Sequence, residues 1–338
     1  MEAHASGLAY PPRDVGLTLA PPTGAEIEAA RARIAGAAIR TPLVRLESDA
    51  GELWFKLENL QPIGSFKLRG AANALGVCPA EELKRGVWTA SAGNMAQGVA
   101  WNARRLGVPC TVVVPETAPA TKVAAVERLG GRVVKTSVST WFEVFRTRTF
   151  DGMDGRFVHA FSDRDVMAGN ATIAAEILED LPDVDAVVVP FGGGGLACGI
   201  AAGFIAAGAD VEVYASEVEG QAPLAAAFEA GEPVSIDYAP SFVDGIGGPH
   251  VEPEMWALAN ELLVGTLVVG LSEVADAIRL LVERVRVVAE GAGASSVATA
   301  LAGVPGARRI ACVVSGGNLD AAVLGAILEG REPWIDGT

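Results

Sequence analysis

Lys67 and the run Gly192–Gly195 are the residues whose type and setting most directly suggest chemistry. Lys67 follows the turn Gly64-Ser65 and Phe66, where Phe66 to Leu75 reads as a helix. At that end of a helix the unpaired N–H groups carry partial positive charge, which opposes protonation of a lysine amine. If the site also excludes water, the neutral amine becomes available for Schiff-base chemistry. The alternative is a solvated surface lysine, the usual fate of this residue type. The glycines follow the apolar run Asp185-Ala-Val-Val-Val-Pro190, and Leu196 opens an apolar stretch of helical length. Each glycine costs roughly 0.5–1 kcal/mol of backbone entropy against alanine in a regular element. A tight turn accounts for them, and so does a loop whose amides approach an anion at a helix N-terminus. The spacing is neither GxGxxG nor GxxxxGK[ST]; among phosphate ligands, a small phosphate ester fits better than a dinucleotide or triphosphate.

These residues need elements to position them. Thr23 and Glu26 form a capping-box pattern ahead of a helix over 25–34. Beyond it, short β-branched runs (Trp54–Leu57, Gly86–Thr89, Thr111–Val114, Arg132–Lys135, Ala186–Val189, Val211–Ala215 and Ile310–Val314) read as strands. Between them Phe66–Leu75, Met95–Leu106, Thr121–Leu129, Met167–Leu178, Leu196–Ala207 and Ser272–Val285 read as helices. The alternation predicts an α/β fold with open, mostly parallel sheets covered by helices. Glycine-rich turns after three strands, at Thr89–Asn94, Pro190–Gly195 and Val314–Asn318, are expected to open directly into helices. Ligands of open α/β sheets gather at such strand ends.

Length and charge narrow the partners. A chain of 338 residues suits two lobes. A net charge of −15 argues against nucleic acid and anionic membranes, both of which need a basic face. Cys78, Cys110, Cys198 and Cys312 are far apart, without CxxC or metal-ligand spacing, and read as reduced thiols of a cytoplasmic protein. No stretch has the length of a membrane span, and the acidic, proline-bearing N-terminus lacks the pattern of a signal peptide. Residues 1–22 are expected to form an arm.

The wording of four segments goes further. Ser65-Phe-Lys-Leu-Arg-Gly-Ala71 resembles the Schiff-base segment of the fold-type II pyridoxal phosphate (PLP) enzymes, the family of serine and threonine dehydratases, serine racemase and cysteine synthase. Ser91-Ala-Gly-Asn-Met-Ala-Gln-Gly98 is similar to that family's substrate-carboxylate loop, Gly192–Gly195 to its phosphate loop, and Ser315-Gly-Gly-Asn318 to its pyridine-nitrogen segment. The resemblance spans nearly the whole chain in order. It implies PLP as cofactor in a cleft between two lobes, a small amino-acid substrate and a homodimer. It divides the chain into an arm (1–22), a large PLP-binding domain (23–66 and 156–338) and a small domain (67–155).

By the same resemblance Lys67 is the catalytic residue. Phe66, Asn94, Gly192, Gly193, Gly194, Gly195, Leu196, Gly245, Glu290 and Ser315 join it around the cofactor, and Ser91, Ala92, Gly93, Asn94, Met95 and Phe161 face the substrate. Ser315 implies a neutral hydrogen bond to the ring nitrogen, a weaker electron sink than an aspartate would give, and so elimination over transamination. Glu290 has two readings, modulating that nitrogen or capping the helix after it. Lys67-Leu-Arg-Gly70 is the dehydratase and racemase wording, not the Lys-Asp-Arg of the synthases. Ala92 stands where similar racemases carry the serine that acts as second base, so dehydration of L-threonine or L-serine is expected.

The alternatives are relatives acting on 3-hydroxyaspartate, an aryl-serine or a hydroxyectoine-derived compound, a serine racemase, or a non-catalytic PLP-binding protein. Met95 departs from a frequent histidine, Ala160-Phe161 from a frequent Pro-Asn, and the wording after Gly245 also differs. Pro223 removes the second acidic ligand of a cation site that some relatives build at Glu217, so no bound metal is expected and Glu217 reads as solvated or structural. His159 reads as a packed or capped core residue.

Overall fold

The β-branched runs assemble into two sheets in a computed structural model that describes residues 19–48, 51–331 and 333. Most of the expected arm, residues 1–18, lies outside the described residues. The ten strands are β1 (Leu43–Ser48), β2 (Gly51–Lys56), β3 (Val87–Ala90), β4 (Cys110–Pro115), β5 (Arg132–Thr136), β6 (Arg156–Phe157), β7 (Ala186–Pro190), β8 (Glu212–Val218), β9 (Gly265–Val269) and β10 (Arg309–Val313). One sheet has the order β1-β2-β10-β7-β8-β9 and the other β5-β4-β3-β6. Apart from the antiparallel β1–β2 hairpin, every pairing is parallel. The strand β7 is buried along its whole length, as expected where helices cover both faces of a parallel sheet.

Each sheet has its own core. The helix Arg164–Asp180 and the helix Ala197–Ala206 pack on one face of the larger sheet, and the helix Gly291–Ala302 on the other. The smaller sheet packs against the helix Asn94–Leu106. Between the lobes runs the helix Lys67–Gly76, which contacts both Asn94–Leu106 and Arg164–Asp180.

The strands and helices expected from periodicity are present to within a few residues of their ends. The helix expected over Ser272–Val285 is α-helical from Leu271 to Leu280 and closes in a π-turn at Leu281–Val285. Three strands, β1, β6 and β9, were not expected. Because β6 pairs with β3, the smaller sheet runs two residues past the expected boundary at 155. The third glycine turn does not open directly into a helix: Ser315–Asp320 is irregular, and the next helix is Ala321–Leu328. The reason is pairing. Phe66 N donates to Ser315 O at 2.9 Å and Gly317 N to Gly64 O at 2.9 Å, so this segment is bound to the Lys67 turn.

A buried ionic cluster fixes the lysine-bearing helix to the large lobe. The Arg69 guanidinium donates to both carboxylate oxygens of Glu58 at 2.8 Å and to Glu176 at 2.7 and 2.8 Å. Lys56 Nζ donates to Glu176 and to Thr41 O, each at 2.6 Å. Burial alone would raise the Glu58 pKa, but Arg69 beside it holds the carboxyl below its usual range.

Candidate active site

Lys67 is the first residue of its helix, as the sequence suggested, and its ammonium group is enclosed. Nζ donates to Ala160 O at 2.6 Å and lies 5.0 Å from the Phe66 ring centroid. Burial pushes its pKa down to about 8, with the nearby Glu290 carboxylate acting in the opposite direction. Half-buried and bonded to Ala160 O, Lys67 does not match the setting of a solvated surface lysine.

Three distant segments meet beside it. Ser65 bridges to Gly316, and Asn318 Nδ2 donates to Ile63 O at 2.9 Å and to Asn94 Oδ1 at 2.7 Å. Asn94 Nδ2 donates in turn to Glu290 Oε1 at 2.8 Å. Glu290 stands at the N-cap position of the helix Gly291–Ala302 but makes no side-chain cap bond. Of its two readings, the structure therefore disfavours helix capping. Burial, reinforced by Asp244, raises its pKa to about 7. Gly245 lies against it: a Cβ there would come within 2.9 Å of Ala292 Cβ and 3.4 Å of Glu290 Oε1. Ser315 is buried next to this group.

The glycine loop is shaped by close approach. Gly194 has φ of +88°, a left-handed conformation that favours glycine. At Gly193 a Cβ would fall 2.0 Å from the Phe161 ring, so the aromatic side chain occupies the space a larger residue would need. Among the described residues, no hydrogen bond is donated by the amides of Gly192 to Gly195. The helix Ala197–Ala206 begins just beyond them. Leu196 points its side chain into the core, leaving only its backbone for a ligand.

The Ser91–Met95 loop precedes the helix Asn94–Leu106, with Gly93 N donating to Ser91 Oγ at 3.3 Å. The Met95 side chain is packed in the small-lobe core, which leaves its backbone amide for a substrate contact. Ala92 also packs against that core. His159 is enclosed as expected. Its Nδ1 accepts from Ser162 N at 2.8 Å and Phe161 N at 3.3 Å, and burial keeps it neutral. Both oxygens of Glu217 accept backbone amides, from Leu224 at 2.9 Å and Ala225 at 2.8 Å, so it holds the start of the helix Pro223–Ala230. Among the described residues no group of three His, Cys, Asp or Glu could hold a metal.

Sequence reasoning missed two features. One is the bond from Asn318 to Asn94, since Asn318 was noted only as part of a motif. The other is a cavity of about 450 Å³ that runs from Gly192, Gly193 and Phe161 to the aromatic residues of the helix Val138–Thr147. That helix was not expected, although the spacing of Trp141, Val144 and Phe145 signals one.

The residues present fit a phosphorylated pyridine aldehyde. A desolvated amine stands ready for the aldehyde, loop amides remain for the phosphate, and the buried Ser65 hydroxyl has no partner among the described residues. The model of a family described as pyridoxal-phosphate dependent enzyme matches residues 34–316. The chain is 39% identical over 300 residues to an L-threonine ammonia-lyase of Thermotoga maritima, covering 86% of this chain and 74% of that one. The maize serine racemase structure superposes with a TM-score of 0.84 at 30% identity, covering 92% and 98% of the two chains. A processed threonine deaminase isoform of Solanum lycopersicum gives 0.79 at 30%, covering 95% and 98%.

Proposed function

Because this chain belongs to the pyridoxal-phosphate-dependent enzyme family, in its serine/threonine dehydratase branch, we propose that it converts a β-hydroxy amino acid such as L-threonine or L-serine to a 2-oxo acid and ammonia. The balance is R–CHOH–CH(NH3+)–COO− to R–CH2–CO–COO− and NH4+. Water leaves in the elimination and another is taken up when ammonia is released. The observation that carries the reading is the Lys67 amine, bonded to Ala160 O and within electrostatic reach of Glu290, which Asn94 bonds in turn.

Pyridoxal phosphate, when bound, withdraws electrons from the substrate's α-carbon, which acidifies the Cα proton and lets the β-hydroxyl depart. The chain's own residues do the rest. Lys67 Nζ, desolvated and with a pKa near neutrality, takes the Cα proton as general base. The amides of Ser91 to Met95, at the N-terminus of a helix, receive the substrate carboxylate. Gly192 to Gly195 and the Leu196 amide hold the phosphate, and Asn94 and Ser315 hold the ring, Ser315 as a neutral donor. Glu290 steadies Asn94 through the 2.8 Å bond. Ala92 offers no proton on the far face, which supports elimination over racemisation.

A homodimer is supported by the apolar side chains of Ile39, Leu60 and Val288, which are 45%, 43% and 39% exposed. They stand close together, for Gln61 bonds the Ile39 backbone and Asn59 the Val288 carbonyl. Free thiols at all four cysteines support a cytoplasmic setting. The domain division at residues 67 and 155 is retained as part of this reading.

The test is the visible spectrum of the purified protein during titration with L-serine and L-threonine, with 2-oxo acid measured in the same sample. The expected result is a near-visible band that changes as oxo acid appears, and a Lys67→Ala variant lacking both band and turnover. Turnover retained in Lys67→Ala would sink the assignment.

A further inference from the structure

The cavity beside the glycine loop has a wall chemistry of its own. Its inner end is Gly192, Gly193 and Phe161, and Phe161 follows Ala160, whose carbonyl accepts the Lys67 amine at 2.6 Å. A substrate attached near Lys67 would therefore present its β-substituent to this space. Trp141, Phe142 and Phe145 line the side given by the small lobe, and Pro249 and Val251 that of the large lobe. The aromatic groups form a connected set: Trp141 and Phe145 stack at 5.7 Å, and Phe145 meets Phe161 at 5.4 Å. The Trp141 indole is fixed by a 3.2 Å bond to Val113 O.

Arg146 donates to Glu143 at 2.6 Å, and His250 lies 3.4 Å from Glu252. Glu143 and Glu252 in the cavity wall disfavour a second carboxylate on the substrate, because like charges repel. Apolar walls favour an apolar group that fills them. About 450 Å³ lies within the range of about 300–1,000 Å³ that organic ligands occupy. The methyl group of threonine would leave most of it empty even with the glycine end given to the cofactor.

We propose that this cavity is the substrate side-chain pocket and that the preferred substrate is a β-hydroxy amino acid with an aryl or similarly bulky apolar β-substituent, of the 3-phenylserine type. The inference rests on the ammonia-lyase reading above. For 3-phenylserine the products are phenylpyruvate and ammonia: the Cα–H and Cβ–OH bonds break, and the nitrogen leaves as ammonia after water is added.

Holoenzyme is titrated with L-phenylalanine and L-alanine, which lack a leaving group, while the cofactor's absorption reports binding. Turnover of L-threonine and 3-phenylserine is measured in parallel. The expected result is at least tenfold tighter L-phenylalanine binding and at least tenfold higher kcat/KM for 3-phenylserine. In Phe142→Ala, checked for retained cofactor absorbance, that preference should fall at least fivefold, through KM more than kcat. L-alanine binding as tightly as L-phenylalanine, or L-threonine preferred over 3-phenylserine, overturns the pocket assignment and leaves the ammonia-lyase reading intact. No oxo acid from any amino acid, with tight L-phenylalanine binding kept, overturns the ammonia-lyase reading and leaves the aryl pocket standing.

Discussion

At Lys67, burial sets when the amine can act. With its pKa near 8 rather than 10.5, the free base is the major form above about pH 8. Recapture of pyridoxal phosphate by the apoprotein requires that free base, so its rate should climb about tenfold per pH unit below 8 and level off above it. Stopped-flow absorbance across pH 6–10 measures this, and a midpoint near 10 would mean the lysine is solvated. Lys67 and the glycine loop were legible because each is a short contiguous pattern with one physical purpose. The bond from Asn94 to Glu290 was not, since it joins residues 196 positions apart. Nor was the packing of Phe161 across Gly193, which joins two segments of the large lobe distant in sequence.

Among the elements, the helix Lys67–Gly76 depends on charges far from its own chemistry. Arg69 carries the tie to Glu58 and Glu176, all of them buried. Arg69→Met would leave Glu58 without its paired cation and Glu176 with Lys56 alone, a loss of about 3–5 kcal/mol for a broken buried pair. Chemical denaturation of the holoenzyme should show it as a lower midpoint. A Glu58→Gln, Arg69→Met double variant should recover part of the loss if the cost is the stranded charge. Elements with clear alternation or helical period were legible in the sequence, whereas β6, with two residues, is too short to show a period. A helix was expected after Glu290, but Gly291–Ala302 is buried on nearly all sides and built of small residues, so no polar face marks its extent.

Across the whole molecule, the proposed cofactor contacts come from both lobes: Asn94 from the small one, the glycine loop and Ser315 from the large. The lobes also meet directly, as in the 2.6 Å pair of Lys122 and Asp244, but both partners are partly exposed and such a pair contributes little. Stability should therefore follow cofactor occupancy. Free pyridoxal phosphate at 100 times its Kd should add about 2.7 kcal/mol relative to apoprotein, seen by calorimetry as a Tm that rises with added cofactor; a Tm indifferent to it would argue against a shared site. The parallel sheets were legible from the alternation of strands and helices and the two lobes from chain length, but the order of strands was not, because pairing partners leave no local mark.

That order has a consequence for how the protein is made. The strand β10 lies between β2 and β7, so the large sheet has a gap at its centre until residues 309–313 arrive. The smaller sheet needs only residues 87–157 and could close early on the ribosome. At roughly 5–20 residues per second, its completion would precede that of the large sheet by on the order of ten seconds. During that interval β2 and β7 expose unpaired edges to the cell, and a nascent chain stalled before β10 would present two strands seeking a partner.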